Sequence, residues 1–121
     1  MSIFGFLKQA DINAGVREFL KTEKAVLLDV RTKEEYESGH IENSENIPLQ
    51  QIEKVLAKIT DKNTPLFAYC QSGLRSYISC RILSGEGFDC CNFSGEYRFY
   101  ENVVRETNLI ESSLPCGMDK K

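Results

Sequence analysis

Two short runs, Ala25-Val-Leu-Leu-Asp29 and Leu66-Phe-Ala-Tyr-Cys70, are apolar at nearly every position, and each stops on a charged or reactive residue. A strand with one face in water alternates apolar and polar side chains. A run that does not alternate is buried on both faces. Such runs belong to a parallel sheet covered by helices on both sides, an α/β architecture. The segments around them supply the helices. Ile12, Val16, Phe19 and Leu20 recur at helical spacing and predict an amphipathic helix over roughly 12–22. Thr32 to Ser38 reads as a short helix: Thr32 caps it, Glu35 stands at the capping-box position, and Gly39 ends it. Leu49, Ile52, Val55, Leu56 and Ile59 mark a longer helix, and Ile78, Ile82 and Leu83 a third, closed by Gly85 and Gly87. Phe88 to Phe93 reads as another strand, with a last helix expected after Gly95 to about residue 107.

The 121 residues suffice for one domain, expected over 1–108, with a polar tail over 109–121 that carries Pro115 and Gly117 and is expected to be loose. A net charge of −3 and the lack of a Lys/Arg tract argue against nucleic acid as a partner. No stretch approaches the length of a membrane span. The opening Met1 to Lys8 lacks the basic segment of a secretion signal. Five cysteines cannot all pair within one chain, and the expectation is a cytoplasmic protein with reduced thiols. There is no Cys-x-x-Cys spacing, and the single histidine, His40, has no nearby thiol, so neither a metal nor a cofactor is expected.

Open α/β sheets place their ligands at the carboxyl ends of the strands. Two strands end here on distinctive chemistry, Asp29-Val-Arg31 and Cys70. Cys70 passes from strand to helix through a short loop, so its sulfur faces the positive end of that helix. Gly73 lets the loop over Gln71, Ser72, Gly73 and Leu74 curl until its N–H groups point inward. Arg75, at the start of the helix, offers a guanidinium fork to an anion held over the sulfur. These features favour a thiolate or an anionic persulfide at Cys70. The competing reading is a small buried hydrophobe at a strand end. Asp29 and Arg31 read as electrostatic support for the loop or, the favoured reading, as a buried ion pair tying the strand to the next helix with Glu35.

Four motifs then stand in order: Leu27-Leu-Asp-Val-Arg-Thr-x-x-Glu-Tyr36, Gly39-His-Ile41, Asn46-Ile-Pro-Leu49 and Tyr69-Cys-x-Ser-Gly-x-Arg-Ser76. Together they resemble a single-domain rhodanese over roughly residues 10–100. The resemblance implies a five-stranded parallel sheet flanked by helices. It implies a sulfurtransferase in which Cys70 takes sulfane sulfur from a small anionic donor such as thiosulfate, or from a persulfide. The acceptor would be cyanide or a thiol, including a protein thiol. Gln71 to Arg75 would cradle the sulfur, with Asp29, Arg31 and Ser76 in support. Related phosphatases and arsenate reductases carry one more residue between Cys and Arg, so the four residues between Cys70 and Arg75 favour sulfur over a tetrahedral oxyanion. His40 has a structural place in the family. An interaction or redox-sensing module is the alternative, disfavoured because such versions commonly lose the Cys.

Cys80 is expected in the core. Cys90 and Cys91 are adjacent on a strand and point to opposite faces, one buried and one more accessible. A resolving role for Cys91 or Cys116 stays open. Ser94-Gly-Glu-Tyr97 departs from the Gly-Gly usual in the family, which puts the Glu96 carboxylate near the site or out in solvent. Tyr97, Phe99 and Tyr100 read as the core face of the last helix rather than as a substrate wall.

Overall fold

The computed structural model describes residues 8–98 and 100 of the chain. In chain order its elements are β1 (Lys8–Asp11), α1 (Ile12–Lys21), β2 (Val26–Asp29), α2 (Lys33–Glu37), β3 (Ser44–Asn46), a 3-10 turn (Leu49–Gln51), α3 (Lys54–Lys58), β4 (Leu66–Tyr69), α4 (Leu74–Gly85) and β5 (Cys90–Ser94). The strands form one five-stranded sheet in the order β1-β5-β4-β2-β3. Every pairing in it is parallel.

The apolar runs are the inner strands. Along β4 the side chains alternate between two cores. Leu66, Ala68 and Cys70 face one that α3 and α4 close with Val55, Cys80 and Leu83. Phe67 and Tyr69 face the other, which holds Ile12 of α1 together with Phe93, Tyr97 and Tyr100. Both faces of the sheet are therefore covered, as the absence of alternation predicts.

Local chemistry sets the helix starts. The Asp11 carboxylate accepts from the N–H groups of Asn13 and Ala14, both at 2.9 Å, and so caps α1. Thr32 and Glu35 form the expected capping box on α2. Gly15 lets α1 lie close on the sheet: a Cβ there would come within 2.3 Å of the Phe93 ring.

Two expectations about these elements are corrected. The helix expected over 49–59 is split into the 3-10 turn and the five-residue α3. Leu20, counted on the apolar face of α1, is 64% exposed. Strands β1 and β3 were not anticipated from the residues. The last helix toward residue 107, the 109–121 tail with Cys116, and Phe99 lie outside the described residues. Among the described residues, no helix is long and apolar enough to cross a membrane.

Candidate functional site

Strand β4 ends at Tyr69, and the next residue is Cys70, 1% exposed at the carboxyl edge of the sheet. The chain then turns through Gln71, Ser72 and Gly73 into α4. Gly73 is the N-cap residue at φ +100°, a left-handed conformation that glycine adopts readily. A glycine cap has no side chain to satisfy the first N–H groups of its helix. The Cys70 sulfur takes that place. Sγ accepts from Gly73 N–H at 3.1 Å and from Ser76 N–H at 3.3 Å. The Ser76 hydroxyl lies 3.4 Å from Sγ and 3.2 Å from the Gly73 carbonyl, so its one proton has two acceptors to choose between. A negative charge on sulfur draws that proton toward it. Three donors thus converge on Sγ at the N-terminus of a twelve-residue helix, where the helix dipole favours negative charge. Cys70 is buried, as a strand-end hydrophobe would be, and its sulfur also accepts these hydrogen bonds.

The rest of the loop is held from two sides. The Gln71 carbonyl accepts from Tyr97 N–H at 3.0 Å. The Gln71 side chain accepts from Arg31 Nη1 at 3.4 Å. Gln71, Ser72 and Leu74 are exposed at the rim.

Arg31 and Asp29 form the ion pair beneath. The Asp29 carboxylate accepts from Arg31 Nη2 at 2.8 Å and from the Arg31 backbone N–H at 2.9 Å. It also accepts from the Tyr69 hydroxyl at 2.6 Å. Arg31 Nη2 donates in addition to the Gly39 carbonyl at 2.7 Å, and the guanidinium carbon sits 4.4 Å from the centroid of the Tyr97 ring. Desolvation opposes the Arg31 charge, but hydrogen bonding to Asp29 and the Asp29 charge outweigh it and raise the pKa above its ordinary value. Burial, aided by the Asp29 charge, pushes the Tyr69 phenol up as well.

Glu35 does not join this pair. It faces Arg75 instead, in a two-pronged bridge: Nη1 to Oε1 at 2.8 Å and Nη2 to Oε2 at 3.0 Å. The guanidinium fork expected to meet an anion over the sulfur is thus turned onto a carboxylate, which uses two of its five N–H donors. Glu35 was legible as a capping residue but not as the partner of a residue 40 positions away. Hydrogen bonding from Arg75 holds its carboxyl at about 2, down from an ordinary 4.5. Because the folded pKa is the lower one, the contribution of Glu35 to stability is complete above pH 4.5 and is lost as pH falls toward 2. Replacing Glu35 with Gln keeps an acceptor for the capping box and removes the charge. The expected result is a flatter fall of the urea midpoint across that acid window. Glu35→Ala loses the capping partner as well, and its midpoint at neutral pH should drop by the equivalent of about 1 kcal/mol.

The remaining residues fall into place around this frame. His40 is exposed, stacks on Tyr36 at 3.7 Å between ring centroids, and has Nδ1 2.8 Å from the Tyr36 carbonyl. Glu96 points outward and pairs with Arg98 at 2.6 Å, both well exposed. Tyr97 and Tyr100 are core residues, 7% and 6% exposed. Cys80 and Cys90 are buried, and Cys91 is half-buried on the opposite face. Among the described residues, no group of three His, Cys, Asp or Glu side chains is placed to hold a metal ion.

Comparison with known proteins agrees with this geometry. The model of the rhodanese-like domain family matches residues 13–102. An uncharacterized protein of Bacillus subtilis, YqhL, is 39% identical over 101 residues, covering 82% of this chain and 74% of its own length. The thiosulfate sulfurtransferase PspE of Escherichia coli is 36% identical over 62 residues, 50% of this chain and 60% of PspE. The crystal structure of a rhodanese-like domain protein from Staphylococcus aureus superposes with a TM-score of 0.68 at 28% identity, covering 76% of this chain and 89% of that one. The parallel sheet, the loop closed on Cys70 and these likenesses together establish that the chain belongs to the rhodanese-like domain family, which includes sulfurtransferases.

Proposed function

We propose that this chain is a sulfurtransferase that carries sulfane sulfur on Cys70. The observation that supports it most directly is the ring of donors on Sγ: Gly73 N–H, Ser76 N–H and the Ser76 hydroxyl, all within 3.4 Å. With thiosulfate as donor, the Cys70 thiolate attacks the outer sulfur. A Cys70 S–S bond forms, the donor S–S bond breaks, and sulfite leaves with the electron pair. The terminal sulfur keeps one negative charge, and the helix N-terminus compensates it. An acceptor thiolate then attacks that terminal sulfur, leaves as its own persulfide, and returns Cys70 as thiolate. No step needs an added oxidant or a metal.

Arg75 stands in the first turn of α4, just after the loop, with donors left over from its bridge to Glu35, and its role is to attract the anionic donor. The four residues between Cys70 and Arg75 fit a single sulfur better than a phosphate. Asp29 and Arg31 act one layer below, by fixing Gln71.

Incubation with thiosulfate followed by intact-mass measurement tests the reading. One sulfur, about 32 Da, should be added to the protein and removed again by a thiol acceptor. Cys70→Ser should gain nothing. Labelling that persists in Cys70→Ser would end the assignment.

A further inference from the structure

Outside the site, the sulfurs of Cys80 and Cys90 lie 2.7 Å apart. Cys80 is on α4, and Cys90 is the first residue of β5. Both belong to the core that α3 and α4 close, 0% and 2% exposed. A disulfide bond needs a sulfur separation of about 2.05 Å, so joining them calls for well under an ångström of movement. Sulfur transfer through Cys70 makes no use of either thiol. Cys91, the neighbour of Cys90, packs toward the other core.

We propose that Cys80 and Cys90 form an oxidisable dithiol that closes into a disulfide stapling α4 to β5. The oxidant is a hydroperoxide, hydrogen peroxide being small enough to enter a packed core. One sulfur of the pair attacks a peroxide oxygen, the O–O bond breaks, and a sulfenic acid and one water form. The second sulfur displaces the hydroxyl as a second water. Two thiols and one peroxide thus give one disulfide and two waters, with two electrons passing from sulfur to oxygen.

The position gives the bond a consequence. Ser76, whose N–H and hydroxyl face the Cys70 sulfur, and Cys80 stand four residues apart on α4, one helical turn. A staple at Cys80 fixes the turn that supports the donor ring. Hydrogen bonding to Cys90 and burial both push the Cys80 thiol well above its ordinary pKa, which keeps it protonated. The thiolate is the reactive form, so the pair oxidises more slowly than an exposed thiol, and once closed it is shielded from bulky reductants.

The test is to expose the full chain to hydrogen peroxide, quench, denature in excess alkylating agent and map the tryptic peptides. Cys70→Ala is run in parallel to remove reactions of the site itself. Trypsin cuts after Arg75, Arg81 and Arg98, so Cys80 and Cys90 fall on different peptides. The expected product is a linked pair, about 2 Da lighter than the sum of the two reduced peptides. The link should form in Cys70→Ala and in Cys91→Ser, vanish in Cys90→Ser, and reverse with dithiothreitol. Closure should also raise the thermal midpoint by about 4 °C or more. Alkylation of both Cys80 and Cys90 after exhaustive oxidation overturns the proposal, as does a link that runs through Cys91. Cys90 and Cys91 share the peptide 82–98, so fragmentation of the linked pair and the Cys91→Ser chain assign the link, and a Cys90→Ser chain that fails to fold does not obscure it.

Discussion

Asp29→Ala should remove about 3–5 kcal/mol of folding stability, the cost of leaving a buried charge without its partner. Asp29 is 0% exposed and Arg31 2% exposed. Truncation strips three donors of their acceptor at once: the Arg31 side chain, the Arg31 backbone N–H and the Tyr69 hydroxyl. Neither water nor a rearranged side chain reaches them easily. Single domains are stable by about 5–15 kcal/mol, so the variant should melt more than roughly 10 °C below the wild type, or fail to accumulate. The control is the double replacement Asp29→Leu with Arg31→Met, which removes both charges and should recover part of the loss. A single variant within about 1 kcal/mol of wild type by urea denaturation would show that the pair is solvated, contrary to the burial.

Gly73→Ala should act on chemistry more than on stability. A Cβ there meets nothing closer than 3.5 Å, the Gly95 nitrogen and the Ser94 Cα, so space is not the obstacle. The obstacle is φ of +100°, where an L-residue costs about 1–2 kcal/mol. The loop relieves that cost by rotating, and rotation carries the Gly73 N–H away from the sulfur it now meets at 3.1 Å. Removing one preorganised donor from a developing anion typically slows a reaction about 100- to 1,000-fold. Sulfur is a softer acceptor than oxygen, so the low end applies: persulfide formation from thiosulfate, followed by sulfite release, should slow about 100-fold. A rate within threefold of wild type, in a variant whose midpoint has fallen, would remove Gly73 N–H from the transition state.

What could be read from the residues divides along the sheet. The inner strands β4 and β2 have a neighbour on each edge and a core on each face, so their composition is forced and their apolar runs betray them. The edge strands β1 and β3 have one neighbour each and read Lys-Gln-Ala-Asp and Ser-Glu-Asn, which carry no strand signal. Ser44 is buried not through hydrophobicity but because its hydroxyl bonds to the Ile41 carbonyl at 2.6 Å and meets the Tyr69 hydroxyl at 3.1 Å. The split helix had a visible cause: Leu49, Ile52 and Val55 repeat every three residues, which suits a 3-10 turn, and Pro48 stands immediately before it.

The same division holds at the site. Cys70, Gly73 and Ser76 are contiguous, and local backbone geometry brings them together, so the motif suffices to place them. The Arg75 bridge to Glu35 and the Gln71 clamp by Arg31 and Tyr97 join residues 26 to 40 positions apart. Only the assembled sheet creates those contacts.

The order of the strands also bears on how the chain can be made. Among the described residues, β1 is the first strand to leave the ribosome, yet the strand it pairs with is β5, the last of them: Gln9 and Asn92 are 83 residues apart. At about 5–20 residues per second, roughly 4–17 s of synthesis separate the two. Over that interval β1 waits without a partner, and the inner strands assemble before the sheet's far edge can close. Cotranslational folding of this chain therefore finishes with its beginning, and shortening β1 should expose the β5 edge to other chains rather than unravel the centre.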